Sequence, residues 1–165
     1  MTPPHADTET SALDMALGRM IREAAQLEFR LELTARILCE SHYGELLILA
    51  ESSSRTIKVC HVLVDAHEEL TAHAREDLKG MLRESTELFT ERHRYVHGAA
   101  MFGGHDGPVT MRTRRLKMGL EIAPLVQKDV ASLADRFAAL TSGITAWITD
   151  LINGRLRDGA DPVTE

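Results

Sequence analysis

The sequence contains few aromatic side chains, at 4% of its 165 residues, although 44% of the residues are apolar. The interior is therefore built mainly from Leu, Ala, Ile, Val and Met, a composition that favours helices packed on helices. The chain also lacks a long apolar run, since the longest, residues 46–50, is too short to cross a bilayer. No basic segment followed by an apolar run opens it, so we expect no secretory signal and no membrane partner. These absences predict a soluble, cytoplasmic protein.

Chemistry based on cysteine, a metal or a cofactor has little support in the sequence. Cys39 and Cys60 have no CxxC partner and lie in apolar helical patterns, which favours buried reduced thiols over a disulfide or a metal ligand. His61, His67 and His73 recur every six residues, and each step turns a helix by about 240°, so they do not converge on one ion. No phosphate-binding loop, nucleophile elbow, zinc-protease or dinucleotide motif occurs. We expect no bound metal and no cofactor.

Apolar residues recur every three or four positions along most of the chain, which predicts an all-α fold. We expect an up-and-down bundle of four or five helices, in a single domain over residues 11–157. Residues 1–10 are rich in Pro, Thr and acids and are expected to be a disordered tail, as are residues 158–165.

The first part of the chain predicts one long helix and two shorter segments. The long helix should begin at Ser11 and run to about His42, with Gly44 ending it. A shorter helical segment follows, closed by the serine run 52–54. Residues 56–66 contain several β-branched side chains that would suit a strand, but a lone strand between helices has no partner, so the pattern favours a helix.

The second part predicts two helices that flank a connecting segment. The first carries an apolar stripe from Leu70 to Val96, and Gly98 should supply a left-handed stop. Residues 98–108 are glycine-rich and predict a loop, and residues 109–121 look extended, as a short hairpin arm would be. The last helix has a regular apolar seam and should end at Asn153-Gly154. The seam consists of Val126, Val130, Leu133, Phe137, Leu140, Ile144, Trp147 and Leu151.

Basic side chains concentrate where the apolar stripe from Leu70 to Val96 ends, in the segment ERHRYVHG, residues 91–98. Residues 92–117 hold six Arg or Lys against the single acid Asp106, a local balance of +5 in a chain whose net charge is −6. Local charge matters more than the total, because only the local field acts on a bound phosphate. Arg92 also occupies a position at which the apolar stripe predicts a buried residue.

Arg92 and His97 point about 140° apart around a regular helix, which is poor geometry for a site within one copy of the chain. Across a two-fold axis, each copy could contribute one arginine and one histidine to a shared cleft. A guanidinium would hold a phosphate there, and an imidazole would move a proton. These are the requirements of RNA cleavage without a metal.

At these residues the sequence resembles the HEPN superfamily, whose signature is an arginine, a polar residue, three further residues and a histidine. Arg92 to His97 fits, with His93 at the polar position and a glycine following. The resemblance implies a helical bundle that forms a homodimer through the motif. In active members it implies a metal-independent endoribonuclease, often a toxin or part of phage defence, that leaves a 2′,3′-cyclic phosphate. It assigns Arg92 to the phosphate, His97 to acid or base catalysis and His93 to orienting or assisting.

One departure concerns control of the activity. The members that are paired with a nucleotidyltransferase antitoxin carry a tyrosine two residues after the histidine, and here that position is Ala99. Tyr95 lies inside the motif instead. The sequence leaves open whether an antitoxin or other regulatory protein binds this chain. Control by adenylylation of a tyrosine at that position is not expected.

Simpler interpretations exist for each basic residue. Arginine and histidine in the last turn of a helix neutralise its negative end, and Arg92 could pair with Glu51 or Glu84. Arg112, Arg114 and Arg115 either bind RNA phosphates or form ion pairs with acidic helices. Arg94 is a fourth candidate for RNA binding, and its position in the last turn is also explained by the helix dipole. The competing functional class is a non-catalytic, dimeric helical module that binds RNA or a protein partner.

Overall fold

The computed structural model describes residues 4–41, 44, 46, 51–101, 108–113 and 120–157. This part of the chain is all-α with one small sheet, which confirms the predicted fold class. Its helices are α1 (Pro4–Cys39), α2 (Ser53–Ala66), α3 (Ala72–Val96) and α4 (Gln127–Ile152). Its strands are β1 (Ala99–Met101), β2 (Val109–Thr113) and β3 (Leu120–Pro124), which form one antiparallel sheet in the order β1-β2-β3.

The Cα packing divides the chain into two compact units. The sheet unit comprises residues 1–24 and 88–137, and the helical unit comprises residues 25–87 and 138–165. In the sheet unit, the rings of Phe89 and Phe137 lie 5.4 Å apart between centroids, and Phe137 is fully buried in a core that is otherwise mostly aliphatic. The buried residues of this core include Leu13, Met20, Ala24, Leu88, Val130, Leu133 and Ala134.

In the helical unit, the core is also mostly aliphatic. Trp147 is buried there, and its Nε1–H donates a hydrogen bond of 3.0 Å to the carbonyl of Ala74, so the ring's one polar atom is satisfied. Other buried residues of this unit include Leu27, Leu31, Cys60, Val64, Leu78, Leu82, Leu140 and Ile144. The predicted seam of α4 is confirmed, since all its positions are buried except Val126, which precedes the helix.

The ends of α1 differ from the prediction. The helix begins at Pro4, so residues 4–10 are helical rather than part of a tail. Proline suits the first helical position, because its missing N–H would have no helical acceptor there. The helix ends at Cys39 because Glu40 adopts a left-handed conformation, with φ of 48°. The prediction that Gly44 ends this helix was therefore wrong.

Helix α2 confirms the helical interpretation of residues 56–66. Its buried residues Ile57, Cys60 and Val64 follow the three- and four-residue spacing of one helix face. Ser52 begins this helix instead of closing the preceding segment, since its side chain accepts a hydrogen bond from the N–H of Arg55.

The end of α4 is as predicted, with Gly154 in the left-handed region at φ of 74°. The Gly154 N–H donates to the Leu151 carbonyl at 3.0 Å, and the Arg155 N–H donates to the Asp150 carbonyl at 2.9 Å. This pair of bonds is the Schellman arrangement, which satisfies carbonyls that a helix end leaves open. The predicted tail, residues 158–165, lies outside the described residues.

The segment between α3 and α4 is partly strand. Residues 109–113 and 120–124 pair as an antiparallel hairpin, which confirms the predicted extended arm. Ala99–Met101 is also a strand, β1, paired with β2, so the predicted loop over residues 98–108 was wrong at its start. No helix among the described residues is long and apolar enough to cross a membrane.

Candidate active site at the end of helix α3

The motif occupies the last turns of α3, and the helical turn continues one residue past Val96. The His97 N–H donates to the His93 carbonyl at 3.2 Å, the i to i−4 bond of an α-helix. Strand β2 packs against this helix end through Thr110, whose hydroxyl donates to the Arg94 carbonyl at 3.2 Å. Thr110 is buried. The sheet therefore holds the end of the helix on which the candidate catalytic residues lie.

Gly98 permits this close packing. A Cβ atom at position 98 would overlap the hydroxyl of Thr110 and would lie 2.9 Å from the carbonyl oxygen of Arg94. The predicted left-handed conformation of Gly98 was wrong, because Gly154 is the glycine with positive φ among those described. The requirement for glycine at position 98 comes from the approach of β2.

The structure brings His93 and His97 together within one copy of the chain. Their ring centroids lie 4.2 Å apart with 47° between the planes, and both side chains are exposed. This follows from their spacing, because residues four apart lie on the same helix face. The site thus presents two adjacent imidazoles to solvent, which is the arrangement for moving protons to and from a bound molecule.

Arg92 lies on a different part of the helix surface. It turns about 100° away from His93 around the helix axis. Its side chain is half-buried and its Nε atom is buried, which agrees with its place on the apolar stripe. Glu51, one of the two acids considered as its partner, forms an ion pair of 3.0 Å with Arg55. The structure therefore does not place Arg92 on the face that carries the two histidines.

The predicted RNA-binding arginines are only partly within the described structure. Arg94 is exposed in the last turn of α3. Arg112 lies in β2, where its backbone is paired with that of Glu121 in β3. Arg114 and Arg115 lie outside the described residues.

The groups around Tyr95 set the local electrostatics. Burial raises the pKa of the Tyr95 phenol, the negative charges of Asp129 and Glu91 raise it further, and Arg94 opposes them. The phenol therefore stays protonated at neutral pH. Glu91 also contacts Arg136 of α4 at 2.8 Å, so this carboxylate is held in an ion pair beside the motif.

Sequence reasoning missed Thr110 and the ion pair between Glu91 and Arg136. Both contacts join residues far apart in the chain, and nothing in the local pattern of either partner indicates them. The adjacency of His93 and His97 was not predicted either, although their spacing of four residues is a signal that could have indicated it.

The cysteines and the histidines outside the motif were the other candidates for chemistry in the sequence. Cys60 is buried, and burial raises its thiol pKa to about 12, so it is unreactive at neutral pH. Cys39 is half-buried, and both cysteines are free. His73 is exposed and lies 3.2 Å from Asp77. The residues that the structure describes contain no group of three or more His, Cys, Asp or Glu able to hold a metal ion.

Comparisons of the whole chain with known proteins found no matching family model, no matching curated protein and no matching solved structure.

Proposed function

We propose that this protein is a metal-independent endoribonuclease of the HEPN type, whose active site forms where two copies meet. The observation that carries the proposal is the exposed pair His93 and His97 at the end of α3, beside the half-buried Arg92, in the order of the motif. The alternative is a non-catalytic, dimeric helical module that binds RNA or a protein partner.

The proposed reaction needs no group that the chain does not supply. One imidazole accepts the proton of the ribose 2′-hydroxyl, and the 2′-oxygen attacks the adjacent phosphorus. The bond from phosphorus to the 5′-oxygen breaks, and that oxygen takes a proton from an imidazolium. The products are a 2′,3′-cyclic phosphate and a 5′-hydroxyl. His97 is the principal acid or base, and His93 orients or assists it.

Arg92 stabilises the negative charge that builds on the phosphate oxygens, since a guanidinium can donate two parallel hydrogen bonds to them. Because Arg92 and His97 diverge on one helix, the working pair comes from opposite copies across a two-fold axis. Arg94 and three arginines of the following segment, Arg112, Arg114 and Arg115, bind neighbouring phosphates of the RNA.

The biological setting that this proposal implies is that of a toxin or a defence nuclease. A protein that cuts cellular RNA has to be restrained until it is needed, and an antitoxin or regulatory protein would provide the restraint. Position 99, at which some relatives of this motif carry the adenylylated tyrosine, is an alanine here. Adenylylation at that position therefore does not provide the restraint.

The test compares wild type with Arg92→Ala and His97→Ala on total RNA in the presence of EDTA. Removal of a general acid or base typically lowers the rate by about 10²- to 10⁴-fold, and removal of a donor that stabilises developing charge lowers it by about 10²- to 10³-fold. Both variants should therefore lose cleavage. Wild-type product should carry a cyclic phosphate and a 5′-hydroxyl. His73→Ala is the matched control. His73 lies in the same helix, its side chain is 88% exposed, and it is remote in sequence from the motif. Equal cleavage by wild type and His97→Ala would remove His97 from the mechanism.

The alternative has an observation in its favour, since His93 and Arg94 lie in the last turn of α3, where cations stabilise the helix dipole. A purely structural motif predicts that Arg92→Ala lowers the melting temperature or dissociates a dimer. A module of the RNA-binding kind also predicts that wild type binds RNA without cutting it. Circular dichroism and analytical ultracentrifugation of the same variants separate the two functions.

A further inference from the structure

The two imidazoles at the end of α3 have a second chemical capability. Histidines four residues apart on a helix face can bind one metal ion together, because their ring nitrogens converge on the same point above the helix. His93 and His97 have this spacing, are both exposed and have ring centroids 4.2 Å apart. We propose that His93 and His97 form a two-histidine chelate for a divalent transition-metal ion, and that binding of the ion inhibits RNA cleavage. The inhibition rests on the proposed function, whereas the binding does not.

The geometry of the pair is close to what a chelate needs. Imidazole nitrogens bind such ions at about 2.0 to 2.1 Å, and two ligands at adjacent coordination positions then have ring centroids about 4.5 to 5 Å apart. The observed separation of 4.2 Å is slightly shorter. A small rotation about the side-chain bonds of two exposed residues supplies the difference. The i to i−4 hydrogen bond between His97 and His93 keeps their Cα atoms in helical register while this happens.

The donor set selects the class of ion. Neutral imidazole suits Zn²⁺, Ni²⁺ and Cu²⁺, with Cu²⁺ bound most tightly, whereas Mg²⁺ and Ca²⁺ require oxygen ligands. The nearest carboxylate in sequence, Glu91, is engaged by Arg136. Among the residues that the structure describes, no third His, Cys, Asp or Glu is grouped with the two imidazoles. A site with two protein ligands suits a reversibly bound, exchangeable ion.

Inhibition follows from the lone pair on the ring nitrogen. A nitrogen that donates its lone pair to a metal cannot accept the proton of a 2′-hydroxyl. The added positive charge also lies where the proton has to move. Cleavage by this site therefore requires the metal-free pair, so bound zinc inhibits cleavage and a chelator reverses the inhibition.

Binding is tested first, on tag-free full-length protein, by competition with a chromogenic chelator for Zn²⁺ and Ni²⁺. Wild type should bind one ion per chain, and His93→Gln and His97→Gln should each weaken binding by about tenfold or more. His73→Gln, which changes an exposed histidine of the same helix, should leave affinity unchanged. Mg²⁺ should not compete. Equal affinity in wild type and the two motif variants would overturn the proposal.

Inhibition is tested by adding Zn²⁺ to wild-type cleavage reactions, with the same concentrations of Mg²⁺ as control. Cleavage should fall as the site fills and return with EDTA. If zinc binds at the pair but wild type never cuts RNA in EDTA, the proposed function fails and the chelate stands. If wild type cuts RNA through His97 but zinc neither binds nor inhibits, the chelate fails and the proposed function stands. Circular dichroism confirms that each variant is folded.

Discussion

At the scale of the residue, position 98 shows how a distant neighbour determines an amino acid. The glycine has no special backbone torsion to adopt, yet no larger side chain fits between it, the Thr110 hydroxyl and the Arg94 carbonyl. The hydroxyl of Thr110 in turn satisfies a carbonyl in the last turn of α3. This group of three residues connects the sheet to the helix end that carries His97.

Gly98→Ala should lower the free energy of unfolding by about 1 to 3 kcal/mol, because the added methyl group forces β2 away from the helix end. Gly18→Ala is the matched control, since position 18 lies in α1 and has nothing within 4 Å of an added Cβ. There alanine should stabilise by about 0.5 to 1 kcal/mol, because it reduces the entropy of the unfolded chain. Chemical denaturation measures both.

The overlap between a methyl group at position 98 and the Thr110 side chain can be tested with a double variant built on Gly98→Ala. Replacing Thr110 by alanine as well removes the atom that the new methyl group meets, so the double variant should lose less stability than the two single changes added together. Strict additivity would show that Gly98 is required for another reason.

At the scale of the element, helix α2 shows which sequence signals outweigh propensity. Several β-branched residues disfavour a helix over residues 56–66, each by less than about 1 kcal/mol. The burial of Ile57, Cys60 and Val64 on one face, together with the Ser52 cap, stabilises the helix against this cost. The serine run was correctly recognised as a boundary, but it belongs to the start of α2.

Ser52→Ala should destabilise the protein by about 1 kcal/mol, because the orphan N–H of Arg55 loses its side-chain acceptor. Ser54→Ala, two residues on at an exposed position, serves as control and should stay within about 0.5 kcal/mol of wild type. Thermal or urea unfolding provides the comparison. The same loss in both variants would contradict the assignment of Ser52 as the cap.

At the scale of the whole molecule, the proposed activity depends on a second copy of the chain. Arg92 and His97 diverge on α3, and the half-burial of Arg92 contrasts with the exposure of His97. A cleft that uses both residues therefore draws them from opposite copies, whereas a site within one copy would rely on His93 and His97 alone.

Complementation distinguishes these arrangements. Arg92→Ala and His97→Ala proteins, each inactive, are mixed, dissociated and reassociated, so that about half of the dimers contain one copy of each. Such a dimer keeps one arginine and one histidine on opposite copies, so cleavage should reappear. Persistent inactivity, with mixed dimers shown by mass spectrometry, would rule out a working pair that crosses the axis.

The sequence by itself determined the all-α class, the apolar face of α4, the helical turn that joins His93 to His97 and the Schellman end at Gly154. These features depend on residues within one or two helical turns of each other, so periodicity and local chemistry suffice to predict them. It also identified the motif on which the functional hypothesis rests, although that hypothesis stays a prediction.

Only the tertiary structure decided the pairing of β1 with β2, the close approach of Thr110 to Gly98 and the ion pair between Glu91 and Arg136. The contacts join residues that lie from eight positions apart, for Met101 and Val109, to 45 positions apart, for Glu91 and Arg136. Their formation depends on how the intervening chain packs. Local patterns specify which face of an element is buried, but which distant residue meets that face follows from the packing of the elements.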